Sequence, residues 1–359
     1  MTGLHTWRKL VAILLLASPT LQSDGIRMWS PQNPALPEGC YTYHQRYQAA
    51  QSPAREFSPP AEAKLVVLLK VHRHALIGIK QDLLWALEAL AEEVQSSGYD
   101  FHILYEVQDN RTQPEGLSDR LWKSCYLYDS HDIFHKYKAI PNLVSGENFN
   151  SGPGPRGAQL PMTWFMYDHP GYKFAWVMEY DVRLIGHWGQ FLDAALQLAQ
   201  WTPKNPWHSA DEGSEKSKHT RALAEDPPPT AYPDLVTFWP YEEHEHWIDT
   251  RVGMEGPNMY SLHMVWGGSR DLFDRMHDYS MQGRTAYYEV FMATIARHHG
   301  MKYVSIPHAI WTEGAGPESY HCCIAGAPRL YTDWYHGSHC AKLTLVHPVK
   351  LVEDFWPSV

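Results

Sequence analysis

The chain has 359 residues, of which 44% are hydrophobic and 13% aromatic, enough apolar material for one large core or two modest ones. Its formal net charge is -10 and its pI is about 6.1, and no Lys/Arg-rich run suggests a local basic patch. These properties exclude a disordered chain and argue against a nucleic-acid partner.

The first 23 residues have the layout of a secretory signal peptide. Arg8 and Lys9 precede an apolar run from Leu10 to Ala17, and small or polar residues follow. The run is shorter than the ~20 apolar residues that cross a bilayer, and a short uncleaved anchor is the alternative. We therefore expect a protein of the secretory pathway, in the ER or Golgi lumen or secreted, without a stable membrane span after signal cleavage.

Two further features fit an oxidising, lumenal compartment. Asn110-Arg111-Thr112 is an N-glycosylation acceptor in a polar segment. The five cysteines can form up to two disulfides and leave one thiol over, and their spacing does not assign the pairs. They are Cys40, Cys125, Cys322, Cys323 and Cys340.

Composition also divides the chain into segments. Residues 24–62 are rich in Pro, Ser, Gln and Ala without periodicity, which predicts a stem or an extended segment. A single α/β domain is expected over residues 63–359. Within it, residues 202–230 contain almost no large apolar residue and have three prolines near their end. They are predicted to be a flexible insertion and not a domain boundary.

The first elements of the domain predict a strand, a helix and a second strand. Residues 64–71 are a continuous apolar run typical of a strand buried on both faces. Residues 83–94 repeat at helical spacing, with Gly98 as the stop, and residues 99–107 alternate as a strand. Such a βαβ unit implies a parallel sheet with a right-handed crossover.

Residues 110–160 are polar and aromatic and end in a Gly/Pro-rich loop. Further elements are predicted after this region. Phe174–Met178 is predicted to be a buried strand and Trp188–Trp201 an amphipathic helix. A late helix is expected from Thr285 to His299, ending at Gly300. Four more strands are predicted, at residues 234–239, 264–267, 302–306 and 342–346.

Two acids, Glu179 and Asp181, follow the strand at 174–178. Ligands of open parallel sheets bind beyond the carboxyl ends of the strands. Because side chains alternate along an extended backbone, both carboxylates are predicted to point to one side and to reach one ion. Two carboxylates suit a hard cation such as Mn²⁺ or Mg²⁺. The alternative is that Glu179 pairs with Arg183 or a nearby lysine at a solvated strand end.

The sequence WVMEYDVRLIGHW, residues 176–188, resembles the signature of a fungal and algal family that is labelled as a domain of unknown function and regarded as glycosyltransferase-like. Other pieces that resemble this family occur in the same order between residues 64 and 350. They are SSGYDFHILYEVQD, YPDLVTFWP, WGGSRDLFDRMHD, YYEVFMATIARHHGMKYVSIPHAIW and LVHPVK.

The resemblance implies an α/β fold with a central, mostly parallel sheet flanked by helices, Rossmann-like, with the A-type (GT-A) nucleotide-diphospho-sugar transferase architecture. It implies a metal-dependent transfer of a sugar from a nucleotide-diphospho-sugar to a glycan or glycoprotein acceptor. Glu179-Tyr180-Asp181 then takes the place of the acid-x-acid motif, in which the last acid binds the metal and the first contacts the ribose or the metal.

The same resemblance extends to three residues outside the acid pair. His347, which follows a predicted strand, is a candidate third metal ligand, and the alternative is a histidine hydrogen-bonded at a strand end. Arg183 and Lys350 are candidate contacts for the diphosphate, and the alternative for each is a surface charge. A cation fixed on Asp181 would offset the negative charge that develops on the leaving nucleoside diphosphate.

An inverting transfer also needs a base that takes the proton of the acceptor hydroxyl. Glu289, near the front of the late helix, is the first candidate, and Glu255 is the second. The alternative for Glu289 is a purely structural role, in which it stabilises the helix N-terminus by ~0.5 kcal/mol. His298 and His299 lie at the other end of this helix, where a partial positive charge suits the helix dipole.

Two other classes of protein remain open. One is a non-catalytic carbohydrate-binding protein on the same fold. The other is a glycoside hydrolase, whose two carboxylates must be ~5 Å or more apart with the sugar between them, whereas acids two residues apart on one strand face fit one ion better. The absence of GxxxxGK[ST], GxSxG and HExxH patterns argues against a P-loop enzyme, an elbow-type serine hydrolase and a zincin.

Overall fold

A computed structural model describes most of the predicted domain. The described residues are 43–47, 64–71, 73–76, 79–107, 112–140, 157–201, 232–238, 242–243, 259–261, 264–306, 310–311 and 344–346. The predicted signal peptide, the predicted insertion at 202–230, Asn110 and four of the five cysteines lie outside these ranges, whereas Cys125 is described and has a free thiol. Within the described ranges, no helix combines the length and apolar character that a bilayer crossing needs.

The described ranges contain strands and helices throughout. The strands are β1 Leu65–Val71, β2 Asp100–Val107, β3 Cys125–Asp129, β4 Phe174–Glu179, β5 Arg183–Ile185, β6 Leu235–Thr237, β7 Glu242–Glu243, β8 Met259–Tyr260, β9 Val265–Ser269, β10 Tyr303–Ser305, β11 Ile310–Trp311 and β12 Thr344–Val346. The helices are α1 Tyr43–Arg46, α2 Arg73–Leu76, α3 Gln81–Ser96, α4 Asp119–Lys123, α5 Ser130–Lys136, α6 Leu160–Asp168, α7 Trp188–Trp201, α8 Arg270–Met281 and α9 Tyr288–His298.

Seven of the strands form the central sheet, in the order β10-β6-β9-β4-β1-β2-β3. Strand β9 is antiparallel to both of its neighbours, and every other neighbouring pair in this sheet is parallel. A smaller sheet has the order β11-β12-β5. The predicted central, mostly parallel sheet is confirmed.

Helices cover both faces of the central sheet. Because side chains alternate along a strand, Val67 and Leu69 of β1 join one core with α3 and α7, whereas Val66 and Leu68 join a second core with α6, α8 and α9. Strands β1 and β4 are therefore buried on both faces. This burial explains why their sequences are continuous apolar runs and not alternating ones.

Most predicted elements are present. Helix α3 ends before Gly98, whose φ of 86° is the left-handed conformation that glycine adopts without strain. Strands β1 and β2 pair in parallel, with Val66 opposite Asp100. Helix α7 has the predicted bounds, and the four later predicted strands appear as β6, β9, β10 and β12.

Several elements occur where the sequence assigned none, and four of them lie between residues 112 and 168. Helix α4, strand β3 and helix α5 lie within residues 110–160, and β3 is the parallel edge strand beside β2. The half-buried sequence of β3, CYLYD, lacks the apolar run of the central strands. Helix α6, LPMTWFMYD, is apolar around most of its circumference and so has little of the helical periodicity that marks a surface helix.

Helix α9 begins at Tyr288, three residues after the predicted start at Thr285. The hydroxyl of Thr285 instead accepts a hydrogen bond from Nε2 of Gln159 at 2.9 Å, and both side chains are buried. Gly300, with a φ of 59°, lies just beyond the helix as predicted. Glu289 therefore lies in the first turn of the helix, whereas the predicted start placed it in the second turn.

Part of the predicted stem or extended segment packs against the folded domain. Helix α1 contains Arg46, whose guanidinium forms an ion pair with Glu93 of α3 and donates from Nε to the carbonyl of Leu184 in β5 at 3.0 Å. The neighbouring Tyr47 is also buried. The domain core therefore includes residues that precede position 63.

Candidate functional site

The two central strands β1 and β4 end side by side. Lys70 of β1 lies opposite Glu179 of β4 in the parallel register. The backbone N–H of Glu179 donates to the carbonyl of Met264 at 2.9 Å, and the N–H of Tyr180 donates to the carbonyl of Lys70 at 3.2 Å. Glu179 therefore lies at the carboxyl edge of the sheet, near its centre, where open α/β sheets bind their ligands.

The chain turns directly after Glu179. The N–H of Val182 donates back to the carbonyl of Glu179 at 3.3 Å, and β5 begins at Arg183. The extended backbone assumed in the sequence analysis stops at Glu179, so alternation does not decide where the carboxylate of Asp181 points. Asp181 lies in the turn and is buried, with 4% of its surface exposed.

Glu179 forms an ion pair across the two strands. Its Oε1 lies 3.1 Å from Nζ of Lys70, and the two side chains are 18% and 27% exposed. A pair between Glu179 and a nearby lysine was the alternative considered from the sequence, and this contact is present. The pair is open to water at one side, so a ligand can reach both charges.

Arg183 lies beneath the turn and not on the surface. Its Nη2 is 3.3 Å from Oδ2 of Asp82 in the first turn of α3, and the side chains are 3% and 5% exposed. Its Nη1 donates to the carbonyl of Tyr180 at 2.7 Å. The surface-charge alternative for Arg183 is wrong, and its engagement by Asp82 and by the carbonyl of Tyr180 does not fit the predicted diphosphate contact. The guanidinium instead braces the turn that contains Asp181.

The first turn of α9 faces the same edge of the sheet. Nζ of Lys70 lies 4.6 Å from the ring centroid of Tyr288, and the ring of Tyr287 stacks on Tyr288 at 4.5 Å. Burial raises the pKa of Tyr288 far above its usual value, and the negative charges of Glu179 and Glu289 raise it further. Tyr288 therefore lies within the electrostatic reach of both acids. Glu289 itself is 3% exposed.

Three other candidates, His347, Lys350 and Glu255, lie outside the described residues. Strand β12 pairs antiparallel with β5 so that Val346, the residue before His347, lies opposite Arg183. Among the residues that the structure describes, no group of three or more His, Cys, Asp or Glu side chains is arranged to hold a metal ion. The described site offers the two carboxylates Glu179 and Asp181, and their oxygens match the preference of Mn²⁺ and Mg²⁺.

The two histidines at the end of α9 take no part in this site. Nδ1 of His299 lies 2.8 Å from Nη1 of Arg275. Burial and the positive charge of Arg275 lower the pKa of His299. The lowered pKa disfavours the charged form of His299 at this helix end.

Sequence reasoning missed Lys70, Tyr288 and Asp82. Lys70 is a charged residue near the carboxyl end of an otherwise apolar central strand, which is a signal that the sequence offered. Tyr288 directly precedes the candidate base Glu289. Asp82 gave no sign of its role, because its partner Arg183 is 101 residues away in the chain.

The described residues thus form an α/β domain with a mostly parallel central sheet and with charged side chains at the carboxyl edge of its central strands, the edge at which open α/β sheets bind their ligands. The chain belongs to the family described as "Protein of unknown function (DUF3405)", whose sequence profile matches residues 93–216 and 232–328, more than half of the chain. The resemblance to a domain-of-unknown-function family is thereby confirmed.

Comparison with curated proteins found no match. Similar solved structures include the galactosyltransferase LgtC in complex with donor and acceptor sugar analogs, at 10% identity and a TM-score of 0.33, over 78% of this chain and 86% of that chain. Core-mannan synthase A (CmsA/Ktr4) from Aspergillus fumigatus, in the Mn/GDP form, has 13% identity and a TM-score of 0.32, over 85% of this chain and 94% of that chain. TM-scores of 0.32 and 0.33 indicate only a distant structural similarity, and they do not define an activity.

Proposed function

We propose that this protein is a metal-dependent glycosyltransferase of the secretory pathway, with the GT-A architecture, that moves a sugar from a nucleotide-diphospho-sugar to a glycan or glycoprotein acceptor. The observation that supports the proposal most strongly is the placement of Glu179 at the end of the central strand β4 and of Asp181 in the turn that follows. The glycosyltransferase-like family that WVMEYDVRLIGHW resembles also supports it. The predicted signal peptide and the acceptor at Asn110 support the proposed compartment.

Glu179 and Asp181 would hold Mn²⁺ or Mg²⁺, with His347 as the third protein ligand. The pairing of Val346 with Arg183 supports this choice, because His347 follows Val346 directly and Arg183 ends the turn that contains Asp181. A cation bound there offsets the charge of the leaving nucleoside diphosphate. Arg183 and Asp82 contribute by fixing the backbone of the turn from below.

Glu289 is the proposed base of an inverting transfer, and Glu255 is the second candidate. The contact of Tyr288, the residue before Glu289, with Lys70, which pairs with Glu179, supports this choice. From this position Glu289 takes the proton of the acceptor hydroxyl as the oxygen attacks the sugar. Lys350 remains a proposed contact for the diphosphate.

Thermal unfolding with a panel of nucleotide sugars, each with and without Mn²⁺, tests the donor site. We expect one nucleotide sugar to raise the Tm of the wild type only with Mn²⁺, on the order of 5 °C at ~100 times Kd. Asp181→Asn removes this response because it loses a charged ligand. Asp271→Asn is the matched control, since Asp271 is 58% exposed in the first turn of α8. An Asp181→Asn variant that responds like the wild type contradicts the proposal.

Glu289→Gln tests whether the protein is an enzyme or only a binding protein. With the donor found above, we expect the variant to bind that donor normally and to transfer sugar ~10²–10⁴ times more slowly, because the amide does not accept the proton. The rate of transfer is measured as the rate at which the nucleoside diphosphate is released. Equal rates for the variant and the wild type reject Glu289 as the base. Donor binding by the wild type without any transfer favours the non-catalytic carbohydrate-binding alternative.

A further inference from the structure

Lys70 holds a position that the proposed function does not yet use. It is the second-last residue of β1, and its ammonium lies 3.1 Å from Oε1 of Glu179. Among the described residues, Arg183 also has a cationic side chain next to the turn, but this side chain is buried against Asp82. Lys70 therefore supplies a positive charge next to Glu179, and both side chains are partly exposed to solvent.

The same ammonium has a second favourable contact. Its Nζ lies 4.6 Å from the ring centroid of Tyr288, close enough for a cation–π interaction. A lysine has a flexible four-carbon stem and a compact, rotatable charge, unlike the planar fork of arginine. Lys70 can thus turn away from Glu179 while it stays near the ring of Tyr288.

We propose that Lys70 is a donor-binding residue that changes partners when the donor binds. In the free protein its ammonium neutralises Glu179 and so competes with a divalent cation for that carboxylate. When a nucleoside diphosphate arrives, the ammonium turns from Glu179 to the phosphate oxygens and leaves the carboxylate for the cation. This inference rests on the proposed function, in which Glu179 is a metal ligand.

This exchange couples the two ligands. A nucleoside diphosphate removes Lys70 from Glu179 and thereby raises the affinity for the cation, and by linkage the cation raises the affinity for the nucleoside diphosphate by the same factor. Replacing Lys70 by a neutral residue has two opposite effects on the two ligands when each is measured alone. A purely structural role for Lys70 does not predict opposite signs.

The experiment measures the affinity of Mn²⁺ alone, of UDP and GDP alone, and of Mn²⁺ with each nucleotide, by calorimetry. Lys70→Met is compared with Lys64→Met, an exposed lysine at the other end of the same strand. We expect Lys70→Met to bind Mn²⁺ alone about fivefold more tightly, as a half-exposed ion pair allows. It binds the nucleotide at least about tenfold more weakly, because a charged hydrogen bond is lost. Lys64→Met behaves like the wild type.

A second variant and a double mutant keep the test decisive. Lys70→Gln replaces Lys70→Met if the latter fails to fold. In a Glu179→Gln background, the gain in Mn²⁺ affinity from Lys70→Met disappears, because the ion pair no longer exists. If the wild type binds Mn²⁺ and nucleotide but Lys70→Met changes neither affinity, the inference is wrong and the proposed function stands. If the wild type binds neither ligand, both are wrong.

Discussion

Asp82 and Arg183 form an ion pair beneath the turn that contains Asp181. Both side chains are almost fully buried, and Arg183 also donates to the carbonyl of Tyr180 within the turn. Taking two charges out of water has a large desolvation cost, so such a pair adds little net stability over an apolar replacement. Its effect here is geometric, since it fixes the backbone between β4 and β5.

Asp82→Asn tests this role. The variant removes the negative charge that pairs with the buried guanidinium of Arg183, and we expect the free energy of unfolding to fall by about 3 kcal/mol. Asp271→Asn is the matched control, because Asp271 also lies in the first turn of a helix and pairs with an arginine, but in solvent. Its cost is expected to be under ~0.5 kcal/mol. Urea denaturation measures the free energy of unfolding of both variants. If the two variants lose the same amount, the buried pair does not have the role described above.

Single residues of the site were only partly predictable from the sequence. The acid pair and Glu289 became candidates because they lie at element ends, where a periodic pattern stops. The turn after Glu179 was missed, since nothing in MEYDVRLI breaks a strand pattern before Gly186. The pair between Lys70 and Glu179 depends on the neighbouring order of β1 and β4, which are about 100 residues apart in the chain.

Helices α3 and α7 pack closely where α7 begins. The N–H of Trp188 donates to Oε2 of Glu93 at 2.7 Å, so a side chain of α3 caps the start of α7. A Cβ on the next residue, Gly189, would lie 2.4 Å from the carbonyl oxygen of Glu93 and 2.0 Å from Oγ of Ser97. The close approach of the two helices thus requires glycine at this position.

Gly189→Ala is expected to lower the free energy of unfolding by about 1–3 kcal/mol, because a backbone carbonyl cannot move aside as a flexible side chain can. Gly171→Ala is the control, since a Cβ there has no atom within 4 Å, and its effect should stay within ~0.5 kcal/mol. Thermal unfolding of both variants measures the difference. If the Gly189→Ala variant is as stable as the Gly171→Ala variant, helices α3 and α7 can move apart without a loss of stability.

Most elements with strong periodicity were predicted, with one exception, and elements with weak periodicity were not. Helix α7 was found with its bounds because its apolar residues recur at helical spacing. Helix α8 was missed although Leu272, Phe273 and Met276 are buried along one side, a pattern the sequence did contain. Strand β3 and helix α6 had no such pattern, since their burial follows from neighbours that are distant in sequence.

At the scale of the whole molecule, the described residues form a central sheet with helices on both faces and two smaller sheets, and residues 43–47 pack against this domain. Arg46 contacts both α3, through Glu93, and β5, through the carbonyl of Leu184. Glu93 in turn caps α7. A segment assigned to a stem from composition alone thus joins two helices and the strand that follows the candidate site. Composition does not predict this packing, because the packing depends on the contacts of one buried arginine.

The central claim is that Glu179 and Asp181 bind one divalent cation at the carboxyl edge of the sheet. Anomalous diffraction from crystals grown with Mn²⁺ and a nucleoside diphosphate tests it most directly. The account predicts an anomalous peak about 2–2.5 Å from a carboxylate oxygen of each acid, with the diphosphate on the opposite side of the ion. A manganese peak that contacts neither Glu179 nor Asp181, with the nucleotide bound elsewhere, would contradict it.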